Sequence, residues 1–156
     1  MATEEAKLAN RARLWGLATL GMTYGVWELI QESSTALSPA IGESIVKEME
    51  KALGLEIAGE KPEHILIELG RIFVDEYGFA TEAKVEQTDK GFRVTLVNAV
   101  GTPEFSAIKE SGVEKLFSHP FYCAGLAVLA RLGVKARGDV LIDKTAKCHV
   151  ITYELV

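Results

Sequence analysis

The C-terminal stretch from Leu116 to Val156 decides the fold, and it reads LFSHPFYCAGLAVLARLGVKARGDVLIDKTAKCHVITYELV. Pro120 is predicted to open a helix because a proline suits the first helical position, and Gly133 is predicted to end it. Residues 134–142 and 147–155 are predicted to pair as antiparallel strands. This stretch therefore predicts one apolar helix followed by a β-hairpin.

The preceding sequence adds a second hairpin and three more helices. The turn-forming cluster Asp89-Lys90-Gly91 separates ATEAKVEQT from FRVTLVNAV, two segments that are typical of strands. Residues 38–53 and 62–77 are predicted to be helical, since each segment begins beside a proline and ends at a glycine. The order predicts a single α+β domain over 1–156, with a four-stranded antiparallel sheet packed against about four main helices. Residues 38–155 would form its core.

Residues 1–33 are predicted to form an N-terminal apolar helix. Its middle, LWGLATLGMTYGVWELI, is apolar nearly all round, which is typical of a buried helix. Gly21 and Gly25 lie one turn apart and would let another backbone approach closely. Two interpretations stay open for these glycines: a dimer interface or ligand-contacting face, and close packing within the monomer.

Composition excludes some classes of function. The formal net charge is −5 and no basic run stands out, so nucleic-acid binding is not expected. Two cysteines are too few for a disulfide framework, and neither a secretory-signal pattern nor an apolar run of about 20 residues is present. We therefore expect a cytoplasmic protein without a membrane span.

The residues that could perform chemistry cluster near the C-terminus. His119, Cys123 and Cys148 are candidate zinc ligands, with Asp143 or Glu154 as the fourth, although zinc sites commonly use CxxC spacing, which this chain lacks. Cys123 could also be a nucleophile with His119 as its base. The competing interpretation is that both cysteines are structural core residues. No nucleotide-binding motif or nucleophile-elbow motif occurs, so no cofactor is required.

The chain resembles the 4-vinyl reductase domain family, whose superfamily includes Golgi transport-particle subunits and haem nitric-oxide-binding domains. The resemblance covers residues 38–155 and rests on five segments: ALSPAIGESIVKEME, ILIELGRIFVDEYGFATEAKVEQ, FRVTLVNAV, SHPFYCAGLAVLARLGV and KCHVITYEL. It implies a dimer of α+β domains that binds small hydrophobic molecules between helices and sheet. Aromatic-sensing members have a zinc site near the ligand, and Cys123 and Cys148 are the residues that match it.

The preferred interpretation is a small hydrophobic-ligand-binding or sensory domain, non-catalytic, that acts as a homodimer. Its apolar pocket is expected between the helix that starts at Pro120, the helix that starts at Pro62 and the sheet. The expected lining residues are Phe73, Tyr77, Phe92, Leu96, Phe117, Tyr122 and Leu126. Each of them could instead belong to the plain core. The alternatives are a metal- or cysteine-dependent enzyme built on His119 and Cys123, and an assembly subunit of a larger complex.

Overall fold

The computed structural model describes all residues from 1 to 156 and has an α+β fold, which confirms the predicted fold class. Its helices are α1 (Glu4–Ile30), α2 (Ser38–Leu53), α3 (Pro62–Asp75), α4 (Thr102–Glu110) and α5 (Pro120–Arg131). Its strands are β1 (Glu82–Thr88), β2 (Gly91–Val97), β3 (Ala136–Asp143) and β4 (Cys148–Leu155). A 3₁₀-helix, Gln31–Leu37, joins α1 to α2.

The two hairpins form one antiparallel sheet in the order β1-β2-β4-β3. Strands β2 and β4 are the central pair, with Phe92 opposite Tyr153 and Leu96 opposite His149. Because side chains alternate along a strand, these residues share one face, and all four are buried. That face is covered by helices.

Helix α5 lies at the centre of the core, and nine of its twelve residues are buried. Helix α2 crosses α5 at Gly42, where an added Cβ would lie 1.8 Å from the carbonyl oxygen of Cys123. On another side, Phe73 of α3 packs edge-on against Phe121 with ring centroids 4.9 Å apart. The space between α3, α5 and the sheet is therefore filled with side chains, so the pocket expected there is wrongly placed.

Helix α1 differs from its prediction as a buried helix, since only Thr23 and Trp27 are buried along its 27 residues. The reason is that its outer side faces no other element of the chain. An added Cβ at Gly21 or Gly25 would have no neighbour within 4 Å, which excludes close packing within the monomer. None of the five helices has the length and apolar character that a membrane crossing requires.

Candidate functional site

The most apolar cavity lies between α1 and the body of the domain and has a volume of about 740 Å³. The body contributes α2, α4 and the segments that precede α4 and α5. The apolar side chains around it are Leu20, Met22, Val26, Leu37, Ile41, Ile45, Phe79, Val100, Phe105, Phe117 and Pro120. Residues on the α1 side such as Ala12 and Thr19 are exposed, so the cavity opens to solvent.

A few polar groups interrupt this apolar lining. The Oγ atoms of Thr23 and Ser118 lie 2.5 Å apart, and Thr23 also donates to the Thr19 carbonyl oxygen at 2.9 Å. Ser118 is therefore the donor in the first of these bonds. Arg13 and Glu104 supply opposite charges at the lining, and neither forms a salt bridge within 4.0 Å. An apolar wall with few polar groups is the usual form of a small-molecule site.

Of the seven residues expected to line a pocket, Phe117 is the one that borders this cavity. Phe73, Phe92 and Leu96 are buried in the core beneath α5, and Tyr77 is half exposed after α3. The remaining two, Tyr122 and Leu126, border a more polar groove between α5 and β3. The structure therefore disperses the predicted set, because α5 packs tightly on the sheet.

Beside the cavity lies a buried chain of hydrogen bonds. Nε2 of His119 and Nδ1 of His149 are 2.9 Å apart, and Nε2 of His149 is 2.9 Å from the Thr102 hydroxyl. His119 caps the N-terminus of α5, where its Nδ1 accepts the Tyr122 backbone N–H at 3.3 Å. Both imidazoles are fully buried.

These bonds determine where each proton lies. Because His119 accepts at Nδ1, it carries its proton on Nε2 and donates to His149. His149 then carries its proton on Nε2 and donates to Thr102, which in turn donates to the Ala99 carbonyl oxygen at 2.8 Å. Every ring nitrogen is satisfied while both rings are neutral.

Burial sets the protonation of this pair. Desolvation lowers the pKa of His119 well below its usual 6.5, and the neighbouring His149 lowers it further. Desolvation also lowers the pKa of His149, to about 4. Both rings are therefore neutral at neutral pH.

Two phenylalanines separate this pair from the cavity. The ring centroid of Phe105 lies 4.9 Å from that of His119 and 5.6 Å from that of His149. Phe79 stands edge-on to both imidazoles at 6.0 and 6.2 Å. Both phenylalanines also line the cavity, so one aromatic wall contacts the histidine pair on one side and the cavity on the other.

The three candidate zinc ligands do not converge, and this prediction is corrected. His119 is bound to His149, while the Cys123 thiol donates to the Phe117 carbonyl oxygen at 3.0 Å. Cys148 lies on the opposite face of β4 from His149. No group of three or more histidine, cysteine, aspartate or glutamate side chains is arranged to hold a metal ion, so Asp143 and Glu154 do not complete a site.

Cys123 is not arranged as a nucleophile. Desolvation raises the pKa of its thiol to about 12, which outweighs the lowering by the Ser38 hydroxyl. That hydroxyl, at the start of α2, donates to the Phe117 carbonyl oxygen at 2.7 Å. The two donors fix the segment before α5 and hold Phe117 against the cavity.

The pairing of His149 with His119 was missed from the sequence, although a signal was present. In β4, Ile151 and Tyr153 lie two and four residues after His149 and therefore on the same face of the strand. Thr152 and Glu154 lie on the face of Cys148. The apolar set should face the helices, which assigns His149 to the buried side. The contribution of α1 and α4 to a cavity had no comparable local signal.

Comparison with protein-family models, curated proteins and solved structures returned no match. The resemblance to the 4-vinyl reductase domain family therefore stays a prediction.

Proposed function

We propose that this protein is a non-catalytic binding domain for small hydrophobic molecules and that it acts as a homodimer. The observation that supports ligand binding is the apolar cavity between α1 and the body. Its volume of about 740 Å³ falls within the roughly 300–1,000 Å³ that is usual for small-molecule sites.

The shape of the cavity favours elongated apolar molecules. It follows α1 from Ala12 to Val26, which at about 1.5 Å per residue is about 21 Å of helix. The polar groups of the lining are few, and the Thr23 and Ser118 hydroxyls are already bonded to each other. Binding would therefore depend on apolar contact, which contributes roughly 25 cal/mol per Å² buried.

A cavity-filling substitution tests the site. A panel of lipids and aromatic hydrocarbons, including N-phenyl-1-naphthylamine, should contain members that raise the melting temperature, because a ligand that binds the native state stabilises it. Ile45→Trp should abolish the shift by occupying the cavity, whereas Ile67→Trp, at a half-exposed position of α3, should retain it. No shift across the panel, or equal shifts in both variants, would exclude this site.

The homodimer is supported by the outer face of α1. Leu8, Trp15, Met22 and Leu29 recur every seven residues and are 65–83% exposed, and Met22 also borders the cavity. Residues at this spacing form one exposed apolar stripe along a helix, which a second copy of the chain would cover in a dimer. Four other large apolar side chains, Leu14, Leu17, Tyr24 and Ile30, are exposed at other positions around α1.

Light scattering tests this interface. Wild-type protein should have the mass of a dimer, and Trp15→Glu should have the mass of a monomer because it places a charge in the apolar stripe. Ile67→Glu removes an exposed apolar side chain elsewhere and should remain dimeric. A monomeric wild-type protein would refute the homodimer and would leave α1 as a face for a different subunit, which is the assembly alternative.

The positions of His119 and Cys123 do not favour the alternative of a metal- or cysteine-dependent enzyme. The Cys123 thiol is buried with a raised pKa, and His119 is engaged at both ring nitrogens. Thr102 is hydrogen-bonded to His149, but the Thr102 hydroxyl donates to the Ala99 carbonyl oxygen, so His149 is not placed to accept its proton. No nucleophile therefore faces the cavity beside a base.

A further inference from the structure

Two charged side chains, Arg13 of α1 and Glu104 of α4, belong to the lining of the cavity between α1 and the body. All other lining residues are uncharged, so these two decide the electrostatic character of an otherwise apolar site. Both also border a second groove between α1 and α4, which adjoins the cavity and has a volume of about 540 Å³. Arg13 is exposed and Glu104 is half-buried, so both charges lie where the cavity meets solvent.

The charge of Arg13 has no acidic partner. Arg13 forms no salt bridge within 4.0 Å, and α1 contains no aspartate or glutamate between Glu5 and Glu28. The residues three and four positions away from Arg13 on either side, which are its neighbours on the helix surface, are all uncharged. By contrast, Lys7 of the same helix forms a salt bridge with Glu4 at 2.6 Å.

The charge of Glu104 is partly balanced by its own helix. Glu104 lies in the first turn of α4, which begins at Thr102. The unpaired N–H groups at a helix N-terminus carry a partial positive charge of about half a unit, which stabilises a carboxylate in the first turn. Arg13 lies in the interior of α1 and has no comparable compensation. The unbalanced charge at the cavity is therefore positive.

An open apolar cavity with one uncompensated cation at its edge suits an amphiphile. The lined stretch of α1 from Arg13 to Val26 is about 20 Å long, and beyond Arg13 it includes no charged lining residue. An apolar chain would lie along this stretch while its polar end stays in water beside the exposed guanidinium. A guanidinium binds a carboxylate through two parallel N–H···O bonds, which neither an alcohol nor an amine can form.

We propose that the ligand of this cavity is an anionic amphiphile, a single apolar chain that ends in a carboxylate, and that Arg13 selects it by binding the carboxylate. This inference rests on the proposed ligand-binding function and names the chemical class of the ligand. The carboxylate would supply the acidic partner that Arg13 lacks. The apolar chain would contact the lining residues towards Val26.

Dodecanoic acid, dodecanol and dodecylamine test the end group, because they share one chain. Isothermal titration calorimetry at about pH 7.5 measures their affinities under conditions in which the carboxylate is ionised. Dodecanoate should bind wild-type protein about 5-fold more tightly than dodecanol, since one partly exposed ion pair is added to the same apolar contact. Dodecylamine should bind more weakly than dodecanol. Added sodium chloride should reduce the preference for dodecanoate, because salt screens an exposed ion pair.

Substitutions at the two charged positions test which side chain selects the ligand. Arg13→Gln should abolish the difference between dodecanoate and dodecanol. The matched control is Arg11→Gln, which removes the same charge from an exposed position of α1 outside the lining and should keep the wild-type preference. Glu104→Gln should increase the preference for dodecanoate, and Arg13→Glu should make dodecylamine the tightest ligand of the three.

The outcomes separate this inference from the proposed function. Equal affinities of wild-type protein for dodecanoate and dodecanol, or an equal loss of preference in Arg11→Gln and Arg13→Gln, would refute selection by Arg13 and leave the cavity as a ligand site. Tighter binding of dodecylamine by wild-type protein would refute it too, and would identify Glu104 as the selecting charge. If neither these three compounds nor the neutral N-phenyl-1-naphthylamine bound, the proposed function would fail and the inference with it.

Discussion

At the scale of single residues, His149 determines the polar centre of the molecule. It accepts from His119 and donates to Thr102, so three elements that are remote in sequence meet at one ring. Its neighbour Cys148 points the other way and is partly exposed. One step along β4 thus separates a buried, neutral imidazole from a thiol near solvent.

The two cysteines should react very differently with an alkylating agent. Iodoacetamide at about pH 8.5 should modify Cys148 in the native protein and leave Cys123 untouched, because burial raises the pKa of Cys123 to about 12. Mass spectrometry should find one adduct per native chain and two per denatured chain. A Cys148→Ser variant should stay unmodified until it unfolds, and rapid native labelling of Cys123 would contradict the buried thiol.

At the scale of elements, the crossing of α2 and α5 requires the absence of a side chain at Gly42. An added Cβ there would lie 1.8 Å from the Cys123 carbonyl oxygen, and a backbone atom cannot move aside easily. The glycines of α1 have no such neighbours, and a Cβ added at Gly16 would meet nothing within 4 Å. Glycines of one chain therefore serve different purposes in different helices.

Alanine substitution should distinguish the close helix crossing at Gly42 from the open surface at Gly16. Gly42→Ala should lower the free energy of unfolding by about 3 kcal/mol, since the helices must move apart. Gly16→Ala should leave it unchanged or raise it by up to about 1 kcal/mol, because alanine is the better helix former. Urea denaturation followed by circular dichroism measures both, and a Gly42→Ala protein as stable as wild type would contradict the close crossing.

At the scale of the whole molecule, the buried histidines link stability to pH. Their pKa values are lowered in the folded state, so below about pH 6.5 the unfolded chain binds protons that the native chain does not. Stability is therefore full above about pH 6.5 and falls as the pH decreases towards the folded pKa of His149, about 4. The pKa values of Glu50 and Glu68 are also lowered from their usual 4.5, so these carboxylates reduce the stability further only when the pH falls below about 4.5.

We expect His149 to cost about 2 kcal/mol of unfolding free energy between pH 7 and about pH 5, and His119 to add a loss in the same direction. Urea titrations at several pH values measure this slope. His149→Gln should make this slope shallower, because only the buried His119 then remains. A free energy of unfolding that is constant over this range would show that the pair is not buried and neutral.

The sequence by itself determined the four strands and four of the five α-helices of this protein, because their signals are local. Pro120 and Gly133 bound α5 as predicted, and the alternation of Phe92, Val94 and Leu96 placed one face of β2 in the core. Such signals depend on backbone conformation within a few residues, which the chain's own chemistry dictates.

Only the tertiary structure decided the candidate site. The bond between Thr23 and Ser118 joins residues 95 positions apart, and that between His119 and His149 joins residues 30 apart. Tight packing of α5 on the sheet closed the expected pocket, and the position of α1 beside α2 and α4 created another. These outcomes depend on how distant surfaces fit together, which no local pattern specifies.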